Sequence, residues 1–127
     1  MDIKAYWNSV LRQDANAMRS FFCADAQICW HNTNERFSFE GFIRANCEYP
    51  GNWEGELLRN QTAGELLITV MRIWDSEKTM SFHVVSFIKL SNDKIISIDE
   101  YWGDDGPPPE WRQNLGLSEE IKGDFIS

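Results

Sequence analysis

Two acids stand side by side in an alternating run near the end of the chain, "NDKIISIDEYWGDDGPPPEW". Successive side chains of a strand point to opposite faces, so one of Asp99 and Glu100 must turn inward. A carboxyl held among apolar groups has a raised pKa and serves as a general acid or base. Glu100 is the first candidate, because Ile96, Ile98 and Trp102 share its side of the run and make the better apolar face. Asp99 with Tyr101 is the alternative, and the preceding loop decides between them. If Asn92-Asp93 is a strict two-residue turn, even positions oppose odd ones and Asp99 and Tyr101 enter. A three-residue loop keeps the even sides together and is the favoured reading, while a bulge satisfies both.

Three further groups interrupt or flank apolar faces. Between Thr79 and Leu90 the even side is apolar except for Ser86, and between Glu65 and Asp75 the even side (Leu66, Ile68, Val70, Trp74) is broken by Arg72. An Arg and a Glu in such faces each need a partner or water, so Arg72 and Glu100 either pair with one another or bind something polar. The stretch "WHNTNE" concentrates donors and acceptors, and His31 within it is a candidate proton carrier. Ile28 and Trp30 form the inward pair there, however, which puts His31 on the other face if the alternation holds.

With 127 residues and 43% hydrophobic content the chain suits one domain, assigned to residues 1–112, with 113–127 as a C-terminal tail. A net charge of -8 provides no basic face for a phosphate backbone, so no nucleic-acid partner is expected. No window approaches the roughly 20 apolar residues of a membrane span and no signal-peptide pattern opens the chain, so a cytoplasmic location is expected. Cys23, Cys29 and Cys47 lack C-x-x-C spacing and read as buried free thiols. With only two histidines, at unrelated positions, no metal and no cofactor are expected.

The elements that position these groups follow from periodicity. "DIKAYWNSVLRQ" places Ile3, Tyr6, Trp7, Val10 and Leu11 on one helical stripe behind a capping Asp2. "DANAMRSFFCADA" predicts a second helix with Ala17, Met18, Phe21 and Phe22 on its stripe. A short strand from Gln27, a return strand at Arg36 to Ser38 and a third helix through "FEGFIRANCEY" follow. Trp53 to Gln61, Glu65 to Asp75, Thr79 to Leu90 and Lys94 to Trp102 then read as a four-stranded antiparallel meander. Helices gathered early and strands late give an α+β layer structure. Beyond Asp104 the prolines cannot continue a ladder and leave a stiff extended tail.

The order of these elements, with "FFCADAQICWH" at the helix-strand join and "NDKIISIDEYW" at the end of the meander, resembles the nuclear transport factor 2-like superfamily, in particular its SnoaL-like members. "CWHNTNERF", "NCEYPGNW" and "DEYWGDDG" are similar to a small bacterial subgroup of uncharacterised SnoaL-like proteins. The resemblance covers about residues 3 to 104 and implies a cystatin-like cone, in which three N-terminal helices pack on a strongly curved, mostly antiparallel sheet around an apolar cavity. It implies a small apolar or amphipathic molecule as partner and a homodimer formed through the sheet. Under it, Glu100, His31 and Asp99 are the candidate catalytic residues of an isomerase, cyclase or hydratase. Trp30, Asn46, Tyr49, Trp53, Arg72, Ser86, Tyr101 and Trp102 are the candidate ligand contacts, and Trp111 a candidate cover for the opening or for a partner subunit. The acid that isomerase-like members carry in the penultimate strand is replaced here by Ser86, so a plain binding module stands as the first reading and an interaction subunit using the sheet face as a third.

Overall fold

The computed structural model describes residues 1–121. The chain runs α1 (Ile3–Leu11), α2 (Ala15–Arg19), β1 (Phe22–Trp30), β2 (Glu35–Ser38), α3 (Phe39–Cys47), β3 (Trp53–Ala63), β4 (Leu66–Asp75), β5 (Ser81–Ser91), β6 (Lys94–Asp104) and α4 (Glu110–Leu115). The six strands form one sheet in the order β2-β1-β6-β5-β4-β3, antiparallel throughout except where β1 lies parallel to β6. This is the expected α+β architecture, with α1 to α3 on one face of the sheet.

The three helices begin where a side chain takes an otherwise orphaned backbone N–H. Asp2 accepts from the Ala5 amide at 3.0 Å, Asp14 from Ala17 at 3.2 Å and Ser38 from Gly41 at 3.2 Å; each cap stabilises by about 1 kcal/mol. The predicted stripe of α1 is the buried one: Ile3, Tyr6, Trp7 and Val10 enter the core. At Gly55 of β3 a Cβ would stand 3.0 Å from Met71 Cε and 3.1 Å from Leu11 Cδ1, so the bare backbone there lets α1 settle close to the sheet.

Four expectations need correction. The second helix ends at Arg19, and Phe22 opens β1 instead of extending the helical stripe. The Phe21 carbonyl accepts from the Ile95 amide at 2.8 Å, so pairing with β6 overrides the local 3.6-residue pattern. Phe22 still reaches the core, tilted against Phe39 and Phe42.

The buried face of β4 is the odd one. Leu67, Thr69, Met71 and Ile73 are buried, whereas Arg72 is exposed on the outer face with its even-numbered neighbours Leu66, Ile68, Val70 and Trp74. Both sides of β4 are almost wholly apolar, so alternation does not choose between them. The partner register does: Leu67 faces Ile88, Thr69 faces Ser86 and Met71 faces Val84 on the inward side of β5. Asp75 fixes that register by accepting from the amides of Thr79 (2.8 Å) and Met80 (2.9 Å) in the connecting turn.

The favoured three-residue loop before β6 is also wrong. Ser91 pairs with Lys94, and Asn92 (φ 51) and Asp93 (φ 63) form a two-residue turn in left-handed conformations. The register then shifts: Leu90 faces Ile95 but Lys89 faces Ser97, so Ile96 is the extra residue of a bulge. Ile95, not Ile96, is fully buried. Past the bulge Ser86 opposes Glu100 and Val84 opposes Trp102, which restores the inward orientation of Glu100 by a different route.

The tail is not extended throughout. α4 is a fully exposed two-turn helix capped by Pro109 and closed by Gly116 at φ 61. The boundary drawn between 112 and 113 falls inside it. The tail assigned to 113–127 lies outside the described residues from 122 onward.

Candidate functional site

Glu100 comes to the interior because β6 is bulged at Ile96 and because β1 runs parallel beside it, with Trp30 as its register partner. Its Oε1 accepts from Trp30 Nε1 at 3.0 Å and its Oε2 from Ser86 Oγ at 2.5 Å. The residue is 6% exposed. Burial pushes the Glu100 carboxyl above the ordinary carboxylate range, and the bonds from Ser86 and Trp30 offset only part of that rise. The two donors explain how a carboxyl is tolerated there: each remaining unmatched would cost roughly 1–3 kcal/mol.

The far end of "WHNTNE" holds this arrangement in place. His31 N donates to the Glu100 carbonyl at 3.1 Å. The Asn32 side chain accepts from Trp102 N at 2.8 Å and donates back to the Trp102 carbonyl, a side-chain mimic of strand pairing that continues the β1–β6 ladder past its end.

Glu100 lines a cavity of about 720 Å³. Trp30, Asn46, Tyr49, Trp53 and Trp102 also line it. Tyr49 and Trp53 meet edge to face at 5.4 Å, and Trp53 meets Phe82 at 6.1 Å, so the wall after α3 is a continuous aromatic surface. Asn46 serves structure as well as lining, since its amide donates to the Val10 carbonyl at 3.0 Å. Ser86 is fully buried and acts through Glu100 rather than as a cavity wall.

Four of the predicted site residues are elsewhere. His31, Asp99 and Tyr101 lie on the outer face of the sheet, where His31 Nε2 meets Asp99 Oδ1 at 2.7 Å and the imidazole stacks on Tyr101 at 4.5 Å. The bulge that turns Glu100 inward turns its two neighbours outward. Arg72 is also outside, over the Trp74 ring at 5.2 Å and 3.8 Å from Asp105, so no Arg72–Glu100 pair forms. Trp111 does not cover the opening: it is 62% exposed, with Arg112 over its ring at 5.7 Å.

Sequence reasoning missed two features. Tyr6, read only as part of a helical stripe, is completely buried, lines the cavity, and has a hydroxyl with no hydrogen-bond partner. Burial, and then the nearby Glu100, push its phenol well above the usual tyrosine range. A polar-tipped residue in mid-stripe was the available signal. The second is on the outer face, where Cys29, His31 and Asp99 bring one potential ligand atom each within 4.8 Å of one another. Strand pairing assembles them: Cys29 opposes Asp99 across β1 and β6, and His31 is the next residue on the same side. Spacing along the chain carries no trace of that.

No protein-family profile and no curated protein matches the sequence. Solved structures do. A candidate ketosteroid isomerase from Kribbella flavida DSM 17836 superposes with a TM-score of 0.79 at 17% identity, covering 98% of this chain and 90% of that one. A nuclear transport factor 2-like protein of unknown function from Burkholderia xenovorans LB400 gives 0.75 at 23% identity, over 94% and 92%. A LEH-like epoxide hydrolase from M. tuberculosis gives 0.66 at 13% identity, over 80% and 79%.

Proposed function

We propose, starting from the nuclear transport factor 2-like fold that this chain carries, that the protein binds a small, largely apolar molecule with a polar handle in the cavity. The observation that carries this reading is the pair of polar groups in an otherwise apolar wall: the Glu100 carboxyl, held by Trp30 and Ser86, and the unpartnered Tyr6 hydroxyl. Both residues border the cavity, and convergent polar groups in an apolar pocket are what fix a ligand's orientation. About 720 Å³ is room for a ligand of drug-like size. Native mass spectrometry of freshly purified protein is expected to show a retained small molecule, and a panel of apolar compounds to raise the melting temperature. A protein that arrives empty and responds to no compound overturns the reading.

The raised pKa of Glu100 favours a second reading, in which the same carboxyl is the general acid or base of an isomerase, cyclase or hydratase. Glu100→Gln separates the two: retained affinity with abolished turnover makes the protein an enzyme, and retained affinity with no turnover in either form makes it a module. His31 and Asp99 take no part in that chemistry, being on the other face.

The outer face is where a second copy of this chain would dock. Leu66, Ile68, Val70, Val85 and Phe87 form a half-buried stripe there, flanked by Glu56, Arg72 and Asp99, so a two-fold related copy can set opposite charges against each other. Light scattering on size-exclusion peaks is expected to give twice the chain mass, and Phe87→Glu to halve it. No helix among the described residues is long and apolar enough to cross a membrane, and a cytoplasmic location accords with the free cysteines.

A further inference from the structure

We infer that the occupant of the cavity is a cation: an amphipathic organic amine or ammonium compound whose charged head meets carboxylates and ring faces while its apolar body fills the remaining space. This rests on the cavity being a binding site.

The charge of the lining comes first. Glu35, Glu100, Asp104 and Asp105 contribute carboxyls, and among the described residues no Lys, Arg or His lines the cavity. Asp105 is partly matched from outside, by His83 Nδ1 at 2.5 Å and by Arg72 at 3.8 Å. Burial pushes its carboxyl up, but the bonds from Ser81 and His83 hold it below the ordinary range, so it stays ionised at the rim. An anionic ligand would meet acids with no facing base. Electrostatic complementarity selects against it.

The hydrogen-bond inventory leads the same way. Gln13 spends its amide on the carbonyls of Asn46 and Tyr49, Asn46 on Val10, Trp30 on Glu100, Trp53 on Pro50 and Ser81 on Asp105. Most donors of these walls already donate to protein; the Trp102 indole N–H and the Tyr49 hydroxyl are left, beside a larger stock of acceptor oxygen and ring surface. With the N–H edges of Trp30 and Trp53 engaged, their indoles offer π faces, which attract cations. The buried exception is the Tyr6 hydroxyl, whose oxygen lone pairs can accept an ammonium N–H. A bound cation beside Glu100 would also favour its ionised form.

The test is a matched pair of probes. Benzyltrimethylammonium and its uncharged carbon isostere neopentylbenzene have nearly the same shape, so their affinities, followed by tryptophan fluorescence, isolate the charge. The cation is expected to bind at least tenfold tighter, and the preference to shrink several-fold in Glu100→Gln and in Asp104→Asn. Phenethylammonium, which adds N–H donors, is expected to lose affinity in Tyr6→Phe, whereas benzyltrimethylammonium is not. If the isostere binds as well as the cation, or if the preference survives both acid substitutions, the charge inference falls while the binding cavity stands. If neither probe nor any uncharged compound binds a folded protein, the cavity reading falls with it.

Discussion

Glu100 and Asp99 are consecutive residues of one strand with the same functional group, and they occupy opposite worlds. Glu100 is 6% exposed, bonded to an indole and a hydroxyl, and pushed toward its neutral form. The Asp99 side chain is 47% exposed and paired with a histidine that is itself in solvent. The contrast comes from one extra residue, Ile96, upstream of both. A pKa, and with it a candidate chemistry, is set here by strand register more than by residue type.

The largest break in that comparison comes from removing each acid's side chain. Glu100→Ala strands the Trp30 N–H and the Ser86 hydroxyl in the interior, and should destabilise the protein by about 3 kcal/mol in urea unfolding. Asp99→Ala removes a solvent-exposed pair and should stay within about 0.5 kcal/mol. Similar losses for the two would mean that Glu100 is as wet as its neighbour.

The pH dependence sharpens it further. Because burial raises Glu100 above its unfolded value, the folded state holds that proton more tightly. The group's stabilising contribution is complete below the unfolded pKa, about 4.3, and is lost as pH rises through the higher folded pKa. Glu100→Gln cannot ionise, so its stability relative to wild type should improve as pH rises from about 4 to 8, by roughly 1.4 kcal/mol for each unit by which the pKa is raised. A flat difference curve for Glu100→Gln would place its pKa at the ordinary value and remove the basis for acid-base chemistry.

Much of this was legible in the chain. Capping Asp2 and Asp14, the stripe of α1 and the meander are all local patterns, and local patterns survive folding. What was not legible depends on partners. β4 is apolar on both faces, so its inward side is decided by β5; Phe22 leaves its helical pattern because β6 claims the backbone beside it. The aromatic wall of Trp30, Trp53 and Trp102 follows from large rings near strand ends taken together with the cone that the resemblance implies. Tyr6 offers only the weaker signal of a polar tip in mid-stripe, because a tyrosine whose hydroxyl is satisfied and one whose hydroxyl is not look identical in sequence.

A smaller effect tests the bulge itself. Deleting Ile96 leaves Leu90 opposite Ile95 and Lys89 opposite Ser97, so the register beyond is preserved and Glu100 stays inward. The loss is that of one partly buried side chain, about 1 kcal/mol, and the rising pH curve of Glu100→Gln should persist in the deleted background. If the curve flattens instead, the shortened strand has slipped by one residue against β5 and Asp99 has replaced Glu100 inside.

The smallest expected change is at Tyr6. Its hydroxyl is buried without a partner, so the folded protein gains nothing from it and loses its hydration. Tyr6→Phe removes the oxygen and keeps the ring, with its edge contacts to Trp7, Phe21 and Phe22. Stability should therefore rise slightly, by up to about 1 kcal/mol, the opposite sign from most core substitutions. A loss of 1 kcal/mol or more would show that the hydroxyl bonds to a fixed water or to Glu100 in solution, and that it is a structural group. A gain in stability accompanied by weaker ligand binding marks a group kept for a molecule other than the protein itself.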